Sequence, residues 1–160
     1  MRHRAPDFVF CVGAFFSAQE SLPVPRLNSV LETAIYTDDM ARARRFYEDV
    51  MGLTPIFADA RLTAYGVGGA SVFLVFKRGA SKEPTASPRG TIPGHDGSGP
   101  LHFAFAISSD DLAAWEARLR SHGVEIESRM RWPRGGTSLY FRDPDGHMLE
   151  LATPGLWPMY

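Results

Sequence analysis

Residues 29–36, SVLETAIY, alternate apolar and polar positions at the period of a strand. Leu31, Thr33 and Ile35 fall on one face, and Glu32, Ala34 and Tyr36 on the other. The period then changes. Thr37 and Asp38 offer a helix cap, and Met40, Ala43, Phe46, Tyr47 and Val50 recur at helical spacing until Gly52 closes the helix. Short strands are expected at residues 54–58, 62–67 and 70–77, with Gly66, Gly68 and Gly69 supplying the turn between the last two. Residues 79–100 are rich in Pro, Gly, Ser and Thr and read as a linker or long loop. A loop of that length inside a compact domain is often functional.

The same plan then returns. A strand at 101–107 leads to a helix capped by Ser108 or Ser109 and carrying Leu112, Trp115 and Leu119, with Gly123 just beyond it. Strands follow at 124–130, 137–142 and 147–153, and the turn Asp143-Pro144-Asp145-Gly146 joins the last pair. Asp38-Asp39-Met40 and Asp110-Asp111-Leu112 hold the same place in each half, about seventy residues apart, a period that suits a duplicated module rather than a solenoid. The expected fold class is α+β: two βαβββ modules that pair into a curled mixed sheet forming a cup, with helices on the outside. The apolar strand face, Leu101, Phe103 and Phe105 with Leu139, Phe141, Leu149 and Leu151, meets the helix, and the opposite face lines the cup. The expected organisation is an N-terminal extension over 1–27, a domain over 28–155 (module one 28–78, connector 79–100, module two 101–155) and a tail over 156–160.

Composition narrows the partners. A chain of 160 residues, 44% hydrophobic and 22% charged, is an ordinary globular protein with enough apolar content for a core. A formal net charge of −1 argues against a nucleic-acid or anionic-membrane partner. Cys11 stands alone, so it forms no internal disulfide and no zinc-type cysteine set, and a reducing cytoplasm is the simplest compartment. The start MRHR and the apolar run at 8–18 have the outline of a signal peptide, but Asp7 and bulky Phe16 sit where such a signal wants other residues. That run is also too short to span a membrane. Residues 1–27 are therefore read as an extension, with a secretory signal as the lesser reading.

Two strings carry a family resemblance. Phe46-Tyr47, followed by Val50, Gly52 and Leu53, resembles the helix signature of the vicinal-oxygen-chelate superfamily, the group of glyoxalases, extradiol dioxygenases and bleomycin- and fosfomycin-resistance proteins. The run from Leu139 to Glu150, with its Asp143-Pro144-Asp145-Gly146 turn, resembles that superfamily's C-terminal signature. The resemblance covers residues 29–153. It implies a metal-binding cup with ligands at three strand positions, which here are Glu32, His102 and Glu150. Face parity agrees, since each of the three lies opposite the apolar positions of its own strand. A carboxylate on such a strand needs a partner, and a divalent cation would supply one.

Other readings stay open for these residues. His102 alone would suit a satisfied core histidine, Glu150 a bridge to Arg142 or Arg134, and Glu32 a bridge to an arginine. Relatives mostly carry His or Gln at the Glu32 place. Tyr140 faces the cup as a hydrogen-bond donor or as a wall, and Ser138 shares its side. Tyr36, Ser138, Trp132 and the loop residue His95 are the expected substrate contacts, with Glu32 and Tyr140 as the expected catalytic pair. His147 faces the apolar side and is not expected to be a ligand.

One histidine and two carboxylates resemble the facial triad that leaves open positions for substrate, and Fe, Mn, Zn and Ni all suit such a divalent site. The resemblance implies chelation of two adjacent oxygens of a small metabolite or xenobiotic, with the metal as Lewis acid. A fourth protein ligand, which glyoxalase I resemblance would place near Phe73 or Leu74, is missing, because both are apolar. The dioxygenase and fosfomycin-resistance groups normally have histidine at the Glu32 place. The rival expectation is a non-enzymatic protein of the bleomycin-resistance kind that sequesters its ligand, and the inward His102 separates the two. Homodimers are common among the relatives, some with modules exchanged between chains, and the connector permits either arrangement.

Overall fold

The computed structural model describes residues 24–160. The expected N-terminal extension, with Cys11, lies outside the described residues up to residue 23, and residues 24–31 have no regular structure. Module one runs β1 (Glu32–Thr37), α1 (Met40–Arg45), a π-helical turn (Phe46–Val50), β2 (Pro55–Ala58), β3 (Leu62–Val67) and β4 (Ser71–Lys77). Its sheet has the order β1-β4-β3-β2, with β1 and β4 parallel and the other pairs antiparallel. The connector holds a small hairpin, β5 (Thr85–Ser87) and β6 (Gly90–Ile92). Module two repeats the plan with β7 (His102–Ala106), α2 (Leu112–Ser121), β8 (Ile126–Arg131), β9 (Thr137–Arg142) and β10 (Met148–Ala152). Its sheet order, β7-β10-β9-β8, is that of module one. The α+β class and the duplicated mixed sheets are as expected. Among the described residues, no helix is long and apolar enough to cross a membrane.

Local chemistry explains where the elements start. The cap of α1 is Asp39, one residue past the expected position, and its Oδ1 accepts from the Arg42 N–H at 3.0 Å. The N–H of Arg42 and its neighbour, with nearby arginines, hold the Asp39 carboxyl below the usual carboxylate range. In the second module the cap of α2 is Asp111, which makes no side-chain cap bond, rather than the expected Ser108 or Ser109; Ser108 Oγ accepts from the Asp111 N–H at 3.2 Å in the turn just before it. The helix expected to continue to Val50 widens into a π turn at Phe46, where Met51 N–H reaches back five residues to Phe46 O at 3.1 Å. That turn lets Phe46, Tyr47 and Val50 all enter the core.

The apolar sides of the two sheets share one core. Phe73 of β4 stacks on Phe103 of β7 with ring centroids 4.9 Å apart, and Leu139, Phe141, Leu149 and Leu151 are fully buried with Ile35, Tyr47, Tyr65 and Val75. Polar contacts fix this docking. The Tyr47 hydroxyl donates to Asp143 Oδ2 at 2.7 Å, and the Thr37 hydroxyl to Asp145 Oδ2 at 2.7 Å. Arg42 donates to the other oxygen of Asp145 at 2.9 Å, and Arg118 of α2 to Val50 O at 2.6 Å. His147 is buried between the modules: its Nδ1 accepts from Leu101 N–H at 3.0 Å and its Nε2 donates to Tyr36 O at 3.1 Å. Burial, with the Asp143 charge beside it, raises the Tyr47 phenol far above its ordinary value, so it acts only as a donor. Tyr47→Phe leaves Asp143 buried without this donor and should cost about 1–3 kcal/mol in urea unfolding. An unchanged midpoint would show that the modules dock by apolar packing alone.

Candidate metal and substrate site

Because the apolar sides meet in the core, the opposite faces of the two sheets look outward as two half-cups. On module two, β7 and β10 run parallel with Glu150 opposite Ala104, and β9 brings Tyr140 beside Glu150. His102 and Glu150 come together here, Nε2 to Oε2 at 3.4 Å. His102 Nδ1 lies 3.1 Å from Met148 O. A carbonyl only accepts, so Nδ1 carries the proton and the Nε2 lone pair of the neutral ring turns to Glu150. Two acceptors thus face each other, and a proton or a cation between them relieves the repulsion. The Glu150 side chain is 5% exposed, and its Oε1 has no hydrogen-bond partner. A buried carboxylate oxygen without a partner costs several kcal/mol or more. The donor set and this orphaned oxygen fit a divalent cation.

Around the pair, Tyr140 sits with its ring centroid 6.3 Å from that of His102. Burial, and then the Glu150 charge, hold its phenol above the ordinary range, so the hydroxyl stays a donor. Trp132 Nε1 donates to Ser138 Oγ at 2.8 Å, which ties two expected substrate contacts to each other. The alternative partners of Glu150 are otherwise engaged: Arg142 pairs with Glu127 at 2.9 Å, and Arg134 is exposed in the turn.

Glu32 does not join this pair within one chain. It is exposed at the start of β1, on a groove of about 430 Å³ whose far wall is Phe103 to Ala106 of β7. Among the described residues no three histidines, cysteines or carboxylates stand together as a metal site. Both β1 and β7 are edge strands of their sheets.

Tyr36 and His95, the remaining expected contacts, meet on the module-one half-cup. The Tyr36 hydroxyl and His95 Nδ1 are 2.8 Å apart, and the His95 ring stands edge-on to Phe76 at 4.7 Å. Burial, with the Asp96 charge second, raises the Tyr36 phenol, which keeps its proton, and the direction of this hydrogen bond follows the His95 tautomer. The segment that presents His95 is built tightly. Its N–H donates to Ser81 O at 2.8 Å, Gly79 N–H donates to Asp96 Oδ1 at 3.1 Å, and Arg78 donates to Gly97 O at 2.6 Å. A Cβ at Gly94 would run into Lys82 O, and one at Gly97 into the Tyr36 ring. Sequence reading took these glycines for loop composition, whereas they stand where the backbone passes close to its neighbours. It also missed Phe76, the platform for His95. The signal was there in part, as an aromatic on the cup-facing parity of its strand.

Residues 27–151 match the family described as the Glyoxalase/Bleomycin resistance protein/Dioxygenase superfamily. The chain is 34% identical over 120 residues to the metallothiol transferase FosB of Staphylococcus epidermidis, covering 74% of this chain and 78% of that one. It is 29% identical over 131 residues to the glutathione transferase FosA of Serratia marcescens, covering 81% and 84%. Among solved structures, a lactoylglutathione lyase from Agrobacterium tumefaciens superposes with a TM-score of 0.75 at 31% identity, covering 84% of this chain and 99% of that one.

Proposed function

The chain belongs to the Glyoxalase/Bleomycin resistance protein/Dioxygenase superfamily as one of its enzymes, and on that premise we propose that His102 and Glu150 hold a divalent metal together with Glu32 of a second copy. The observation that carries this reading is the buried, partnerless Oε1 of Glu150 beside a histidine whose Nε2 is turned toward that carboxylate. The position of Glu32, exposed on an edge strand and apart from the pair, supports a site completed across a homodimer. The relatives named as transferases and as a lyase suggest a transfer or lyase reaction on a small oxygen-bearing metabolite or xenobiotic.

When bound, the metal supplies Lewis-acid polarisation of two adjacent substrate oxygens. The protein's residues do the rest. Met148 O fixes the His102 ring, as an outer partner does for a ligating imidazole. Tyr140, kept protonated by burial and by Glu150, donates a hydrogen bond to a developing negative oxygen. Glu32, solvent-facing in the single chain, is the group free to take a proton from the substrate. Trp132 and Ser138 wall the cup at its β8–β9 end.

Elemental analysis of the purified, metal-titrated protein tests this. About one divalent metal per chain is expected, since each chain brings one His102–Glu150 pair and one Glu32. No uptake of Mn²⁺, Fe²⁺, Zn²⁺ or Ni²⁺ would overturn the reading and leave a ligand-sequestering cup.

A further inference from the structure

Residues 24–31, VPRLNSVL, lead into β1 and are exposed throughout. They hold four of the ten large apolar side chains that the described residues leave in solvent: Val24 and Leu27 at 92% exposure, Val30 at 76% and Leu31 at 66%. A single exposed apolar residue is ordinary. Four within one short stretch, with Arg26 as its one charge, mark an interaction surface. Among the described residues, the stretch makes one hydrogen bond to the sheet, at its very end, where Val72 N–H donates to Leu31 O at 2.9 Å. The rest is an arm that its own chain does not cover.

Beside the root of the arm lies the groove of about 430 Å³ between the edges of β1 and β7. Val67, Val72, Phe73, Phe103 and Phe105 give it apolar walls, and Glu32 is the one charged residue of its lining. Val30 stands at its lip, but Leu27, three residues earlier, is almost wholly in solvent, so the arm leads away from its own groove. An apolar arm and an open apolar groove therefore complement each other without meeting in one chain. A twofold axis between two copies brings them together. In the shared-site reading, β1 of one copy lies beside β7 of the other. The arm runs straight into β1, and β7 is a wall of the groove, so that pairing delivers each arm to the groove of the opposite copy. Edge strands of six and five residues are a narrow seam for the roughly 1,600 Å² that a stable interface buries, and reciprocal arms widen it.

We propose that residues 24–31 are an exchanged arm: in a homodimer each copy lays Val24 and Leu27 into the β1–β7 groove of the other. This rests on the reading that a second copy supplies Glu32, and it adds the surface that locks the two copies together. Glu32 follows directly on the arm, so a seated arm also fixes the position from which that carboxylate reaches the opposite cup.

Photo-crosslinking in the full chain tests the proposal. A chain carrying benzoylphenylalanine in place of Leu27 is mixed with a large excess of unaltered chain labelled with heavy isotopes, and irradiated once the copies have exchanged. Crosslinks should join the light arm to heavy peptides that hold residues 67–73 or 103–106. Crosslinks confined to light peptides, crosslinks to heavy peptides from elsewhere in the chain, or none at all would overturn it. A second measurement needs no probe. Val24→Ser combined with Leu27→Ser should raise the dimer dissociation constant at least about tenfold in sedimentation equilibrium. The far-UV circular dichroism should stay unchanged, because neither side chain is buried in its own chain. An unchanged dissociation constant would overturn the proposal. Failure of the metal reading looks different: the arm crosslinks would then persist in a protein that takes up no divalent metal, whereas full metal uptake without arm crosslinks would sink the arm alone.

Discussion

Co-expression of a Glu32→Gln chain with a His102→Ala chain should restore metal binding that neither chain achieves alone. In a site shared across a dimer, Glu32 comes from one copy and His102 with Glu150 from the other. A mixed dimer then has one site that unites both lesions and one that escapes both. With random pairing half of the dimers are mixed, so about a quarter of all sites should bind metal as tightly as the unaltered protein. Two differently tagged chains, purified through both tags, raise this to about half. Metal counted per dimer is the readout, and catalysis is not needed. No recovery in the doubly tagged material would mean that Glu32 completes the site of its own chain or none. The structure motivates the experiment because the His102–Glu150 pair is assembled within one chain and Glu32 stands apart from it on an edge strand.

Glu150→Gln should act in opposite directions on the metal-free and metal-loaded protein. In the metal-free chain Glu150 is a buried carboxylate with one oxygen unpartnered. Removing that charge should raise metal-free stability by about 1–3 kcal/mol in denaturant unfolding, as relief of an unpaired buried group does. With metal the sign reverses. Unaltered protein gains about 2.7 kcal/mol when free metal is a hundred times the dissociation constant, because only the folded state binds it. A neutral amide is a poor ligand, so the variant should bind at least about 100-fold more weakly and gain almost nothing. A variant destabilised without metal, and still stabilised by it, would make Glu150 a structural carboxylate and move the metal elsewhere.

The strand faces of His102 and Glu150 were legible because strand parity is a strict two-residue rule. It put His102 and Glu150 opposite Phe103 and Leu149, where the structure has them. Parity says which face a residue occupies, but not which sheet or which chain stands opposite. For that reason Glu32 could be assigned a side and not a meeting place. The π turn was hidden for a related reason. Five residues cannot separate a period of 3.6 from a wider one, and buried Phe46, Tyr47 and Val50 satisfy both. The connector read as loop because three-residue strands such as Thr85–Ser87 leave too short an alternation to see. His95 was visible as a polar residue between glycines. That those glycines let the backbone press against Lys82 and Tyr36 is a tertiary fact, and it separates a solvated loop histidine from a mounted one.

The turn before β10 has a further consequence, for how this duplicated chain is able to change. Asp143 and Asp145 dock on Tyr47, Thr37 and Arg42, so the second module carries the plug and the first the socket. The matching turn of module one, between Val67 and Ser71, is Gly68-Gly69-Ala70 and offers no acid to return the grip. The two halves look alike in topology but are no longer interchangeable parts. A chain built of two first modules would have two sockets and nothing to fill them, and one of two second modules would bury carboxylates with no donors. Ancestry by duplication is still readable in the strand order, while the way back to a symmetric pair of identical halves is closed at this one turn.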